Sequence, residues 1–153
     1  MHSSLLKVFA AASIALFAAS PTWSDTPGKH PAYLHALSDL RDARAHLEKV
    51  TNNATIDQAE AHAIDHIDKA INDIKQAAIM DGKNIQDHVP VDSHMDNPGR
   101  LHRSLELLNK AHQDVSGEED QPDTQGLQMR VIKHIDEAKN SVKHAIEIVE
   151  SHS

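Results

Sequence analysis

Apolar residues recur every three or four positions in four stretches of the 153-residue chain, with polar residues between them. Leu34, Leu37, Leu40 and Leu47, with Ala36 and Ala43, draw one stripe and predict a helix from about Ala32 to Val50. Pro31 suits its entry, and Thr51-Asn52-Asn53 breaks the pattern. Ile56, Ala59, Ala63, Ile67, Ala70, Ile71, Ile74 and Ala78 draw a second stripe. Thr55 followed by Gln58 reads as a capping box at its start, and Gly82 as its stop. A polar loop, DHVPVDSHMDNPG, leads to a third helix, from Asn97 or Pro98 to Val115, with Gly117 ending it. After the acidic EEDQPDTQG, a stripe through Val131, Ile132, Ile135, Ala138, Val142, Ala145, Ile146 and Val149 predicts a fourth, roughly Leu127 to Glu150. No run reads as a strand.

Part of the pattern repeats. HIDKAINDIKQA from His66 aligns with HIDEAKNSVKHA from His134 without a gap, keeping His, Ile, Asp, Ala, Asn, Lys and Ala. LHALSDL from Leu34 aligns more weakly with LHRSLEL from Leu101, at an offset one residue shorter. These features predict an all-α fold, an antiparallel four-helix bundle built from a duplicated helical hairpin. The hairpins span 32–82 and 98–152, joined by loop 83–97, in a single domain over 25–153. The length of that loop leaves room for a crossover connection.

The first residues do not share this pattern. Lys7 precedes VFAAASIALFAA, an uncharged apolar run the size of a signal-peptide core and too short for a usual membrane span. Residues 1–24 are therefore expected to be a signal peptide. The mature chain is then periplasmic or secreted, with no stable membrane insertion.

Composition narrows the chemistry. There is no cysteine, which excludes disulfides, thiolate zinc, Fe–S clusters and covalently attached c-type haem. With 15 Lys+Arg against 23 Asp+Glu, the net charge of −8 argues against nucleic acid and anionic membrane partners and is compatible with cations. Only Tyr33 remains as an aromatic once the leader is set aside, so base stacking is not expected. Histidine, in contrast, occurs 13 times, roughly four times ordinary usage.

The histidines fall in columns, because helical residues three and four apart share a face. His35, Asp39, Asp42 and His46 form one beside the leucine stripe of the first helix. His102, Glu106 and Asn109 form its counterpart on the third. His62, His66 and Asp73 border the apolar face of the second, and His134 on the fourth is the repeat partner of His66. Imidazole suits Cu(II), Ni(II) and Zn(II), and carboxylate can complete the shell; without thiolate or clustered methionine, Cu(II) fits better than Cu(I). His112, near Leu105 and Leu108, reads as a core histidine in preference to an axial haem ligand. His30, His88, His94, His144 and His152 read as loop or exposed positions without a specific role.

Enzyme motifs are missing. No Glu-x-x-His pair, His-Glu-x-x-His, glycine-rich phosphate loop or Gly-x-Ser-x-Gly occurs. The helical, histidine-rich, cysteine-free chain with its HID-x-A and KHA elements resembles the small metal-binding protein family of bacterial periplasms over most of residues 32 to 150. That resemblance implies a four-helix bundle that binds copper and other divalent ions, with His62, His66 and His134 in the family's part. This chain is longer, less regular and carries a long central loop.

The expected function is non-catalytic binding of divalent transition metal for buffering or sequestration, Cu(II) first, then Ni(II) or Zn(II). The expected ligands are His62 and His66, then His35 and His46 with Asp39 and Asp42, then His102 with Glu106 and His134. The alternative is a periplasmic interaction or stress-response protein whose histidines give a pH response without a specific metal site. No particular protein partner is indicated.

Overall fold

The computed structural model describes residues 30–86 and 97–152. The expected signal peptide, His88 and His94 lie outside them. Four helices follow one another: α1 (Tyr33–Leu47), α2 (Ala54–Met80), α3 (Asn97–Val115) and α4 (Pro122–Ser151). The described residues contain no strand, and none of their helices is long and apolar enough to cross a membrane.

Local chemistry sets the helix ends. The side chain of Asn53 accepts from the backbone N–H groups of Thr55 and Ile56, at 3.0 and 3.3 Å, and caps α2. The capping residue is thus Asn53, two positions before the expected Thr55. At the other end Gly82 has φ 72°. Its N–H donates to Ile79 O and that of Lys83 to Ala78 O, the paired bonds of a Schellman motif that glycine makes easy. Helix α4 starts at Pro122, five residues before the expected Leu127, because Pro122 stands in its first turn and Gly126 lies inside the helix.

The helices form a closed ring in which each packs on two others: α1 on α2 and α3, and α4 on α2 and α3. Successive contacts give the directions. Ala43 meets Ser104 and Asp39 meets Lys110, His66 meets His134 and Asp73 meets Arg130, His102 meets Glu150 and His112 meets Asp136, and a short turn folds α2 back on α1, so every neighbouring pair is antiparallel. Helices α2 and α3 stand on opposite corners and point the same way. The end of α2 and the start of α3 therefore lie at opposite ends of the bundle, the arrangement of a crossover connection. The residues that leave α2 run along α1, where the Arg41 guanidinium donates to Ile85 O at 3.1 Å.

One interval relates the two hairpins. His66 and His134 are 68 residues apart. The same interval joins Leu47 to Val115 at the ends of α1 and α3, and Ala54 to Pro122 at the starts of α2 and α4. Buried positions follow it: Leu40 with Leu108, Ala43 with Ala111, Ile67 with Ile135, Ile74 with Val142. The weaker sequence match between Leu34 and Leu101 runs one residue short of this interval, at which Leu101 falls opposite Tyr33, and both are buried. The core runs the length of the bundle, and each fully buried Leu or Ile contributes about 1.5–3 kcal/mol relative to exposure.

Candidate metal centre

The interval of 68 decides what lies between α2 and α4. Residues 68 apart meet at their crossing, and there His66 Nδ1 stands 3.2 Å from His134 Nδ1. The rings are 5.4 Å apart, inclined at 39°. One turn earlier on α2, the ring of His62 lies 5.0 Å from that of His66, and its Nδ1 is 3.2 Å from Ser141 Oγ on α4. An open groove of about 380 Å³ continues the seam, lined by His62, Asn140, Ser141 and His144 among others. His144, expected to be merely exposed, therefore borders the same groove.

The pair lies beside the core because Ile67 and Ile135, the next residues, are fully buried. His66 and His134 are half-buried at the margin. Burial, then the positive charges of His62, Lys69 and His134, hold the His66 imidazole below the usual histidine range. The carboxylates nearby are occupied. Asp65 pairs with Lys69 at 2.6 Å, and both oxygens of Asp73 take hydrogen bonds from Arg130 at 3.1 Å. Asp73, placed in the sequence column with His62 and His66, is thus bound by a guanidinium.

The other expected ligands do not gather in this way. From His35 to His46 the helix rises about 16 Å, so these two do not share an ion. His35 is exposed, while His46 is buried at 4% exposure; Arg100 donates to its carbonyl. Asp39 sits 3.4 Å from Lys110 of α3. Asp42 has a buried Oδ1 without a hydrogen-bond partner, and burial pushes its carboxyl up against the opposing pull of His46. His102 is exposed and meets Glu150 at 3.6 Å, while Glu106 pairs with Arg103 at 3.0 Å. From His134 to Glu150 the helix rises about 24 Å, so His102 and His134 serve different places. His112 is not in the core: it is one-third exposed and lies 3.5 Å from Asp136.

Two clusters had no periodic signal. Arg100, completely buried, donates to Glu60 Oε1 at 2.5 Å and to His46 O, tying the start of α3 to α1 and α2. At the opposite end His30 Nδ1 lies 3.1 Å from Glu119 Oε1, and the Tyr33 hydroxyl donates to Glu119 Oε2 at 2.7 Å. His30, expected to be a polar loop residue, is thus largely enclosed. Its partner lies 89 residues away, beyond the reach of helical spacing.

Comparison with known proteins finds no match to a protein family, to a curated protein or to a solved structure. The resemblance to the small metal-binding proteins therefore stands on composition and periodicity alone.

Proposed function

We propose that this protein binds divalent transition metal ions at the α2–α4 seam, without catalysis, as a buffer or sequestering protein. The 3.2 Å separation of the His66 and His134 Nδ1 atoms carries the reading. Two nitrogens bound to one ion at 2.0–2.1 Å stand about 2.9 Å apart at the cis angle of square-planar Cu(II) and about 3.4 Å apart at the tetrahedral angle of Zn(II), and 3.2 Å lies between. An ion would take the place of the proton between the two rings with little movement of either helix. The depressed basicity of His66 favours the neutral imidazole, the form with a lone pair to give. His62 is the third ligand within a side-chain rotation, and water from the groove completes the shell. An all-imidazole set favours Cu(II), then Ni(II) and Zn(II). The apolar run at residues 8–19 supports an exported location.

Calorimetric titration of the metal-stripped protein with Cu(II), Ni(II) and Zn(II) tests this, beside the double variant His62→Ala/His66→Ala. Saturable binding that the variant weakens at least tenfold is expected. Nonsaturable uptake unchanged in the variant would leave a hydrogen-bonded histidine pair that responds to pH.

A further inference from the structure

The end of the bundle opposite Arg100 brings together the start of α1, the end of α2 and the α3–α4 loop. The N–H of Ala32 donates to Asp114 O at 3.1 Å, and Pro31 packs on Gly117, where a Cβ would stand 3.4 Å from Pro31 Cα. Residues 30–33 are thereby held against this end. His30 Nδ1 lies 3.1 Å from Glu119 Oε1 and 3.4 Å from Asp81 Oδ1; both carboxylate side chains have 0% exposure, and the imidazole has 7%. His30, Glu119 and Asp120 each bring a ligand atom within 4.8 Å of the others, the one such trio of histidine and carboxylate among the described residues. Asp120 is exposed, so the trio opens to solvent on that side.

The geometry makes this more than a structural clasp. Carboxylates of Glu119 and Asp81 face the imidazole at hydrogen-bond distance, and an oxygen of Asp120 lies within 4.8 Å of the ligand atoms of His30 and Glu119. Glu119 stays ionised: burial raises its carboxyl, but hydrogen bonds from the Gln121 N–H, Tyr33, Thr124 and His30 outweigh that and hold it below the usual range. Burial, and then Glu119 and Asp81, push the Tyr33 phenol far up, so it remains a donor that orients Glu119.

We propose that His30, Glu119 and Asp120, backed by Asp81, form an oxygen-rich site for a divalent cation of the manganese class. Donor atoms 2.0–2.2 Å from one ion, at octahedral or tetrahedral angles, stand about 2.9–3.5 Å apart. The 3.1 Å from His30 Nδ1 to Glu119 Oε1 falls in that interval, the backing Asp81 lies at 3.4 Å, and Asp120 is within 4.8 Å. Carboxylate and water ligands suit Mn(II), and one imidazole favours it over Mg(II) or Ca(II). The affinity order with Mn(II) weakest holds at both places, but the seam offers only imidazole and water where Mn(II) takes carboxylate oxygen, so added Mn(II) reports on this site and not on the seam. This site does not depend on the seam reading.

Titration of the metal-free protein with Mn(II), followed by paramagnetic broadening of backbone amide signals, tests it. The Gln121 N–H donates to Glu119 Oε1 at 3.0 Å and so reports on the site. Saturable broadening centred on Gln121 is expected, with the His66 and His134 amides left sharp. Asp120→Asn, on an exposed side chain, should weaken Mn(II) at least tenfold while leaving Cu(II) uptake at the seam unchanged. Broadening spread over the surface carboxylates, none at Gln121 up to millimolar Mn(II), or an unchanged affinity in Asp120→Asn would each overturn the proposal. Loss of Cu(II) binding alone would remove the seam reading and leave this one standing.

Discussion

His66 and His134 face each other with their Nδ1 atoms 3.2 Å apart across the α2–α4 seam, 68 residues apart in the chain. Each hairpin thus contributes one imidazole to the contact. That relationship makes the seam unlike the rest of the surface, where His102 and His144 meet carboxylates at 3.6 and 3.9 Å.

Removing one side of the pair separates the seam from general histidine uptake. His134→Ala should lower Cu(II) or Zn(II) affinity at least tenfold, the cost of losing one of two first ligands. His102→Ala, on an exposed side chain away from the seam, should change it less than twofold. Competition against a chromophoric chelator reads both; equal losses would assign uptake to histidine number instead of place.

Acidification should destabilise the metal-free protein through His66. Its folded-state basicity lies below that of the unfolded chain, so the unfolded state takes up the proton first. Stability is then fully present above about pH 6.5, falls below it, and stops falling under the lowered folded value. The slope from this group is at most about 1.4 kcal/mol per pH unit. Urea midpoints between pH 7.5 and 5 measure it, and His66→Gln should flatten the dependence.

The buried Arg100–Glu60 pair should behave asymmetrically. Burial pushes the Glu60 carboxyl up while the guanidinium pulls it down. Arg100→Ala leaves that carboxylate alone in the core and should cost about 3–5 kcal/mol. Arg100→Met combined with Glu60→Leu should recover most of the loss. Denaturant unfolding at constant slope checks both.

Two glycines should respond in opposite directions. Gly82 has φ 72°, so Gly82→Ala should cost about 1–2 kcal/mol. Gly126 lies inside α4 with nothing within 4 Å of an added Cβ, and Gly126→Ala should stabilise by about 0.4–1 kcal/mol. Thermal unfolding of the two variants compares them directly.

Much of this architecture is legible in the residues. The stripes through Leu37 and Leu40, Ile67 and Ile74, and Ile135 and Val142 locate the helices, since each is a buried face at helical spacing. His62, His66 and His134 are legible for a related reason: they border those stripes, so packing the stripes brings them near one another. His30 and Glu119 carry no such signal. They sit at the bundle end, where chain connectivity and not periodicity sets proximity. Gly126 misleads for the converse reason, since burial of Thr124 and Leu127 on either side holds it in a helix that its own propensity opposes. The column from His35 to His46 misleads because shared position on a helix says nothing of what the neighbouring helix presents, here Lys110.

The crossover has a mechanical consequence. A single segment joins the two hairpins, and the faces they press together, α2 on α4 and α1 on α3, are paired across distant parts of the chain. An ion held by His66 and His134 would therefore act as a removable rivet between halves that could otherwise slide or part. Loading would stiffen the union of the hairpins more than either hairpin by itself, and stripping the ion would loosen the joint first.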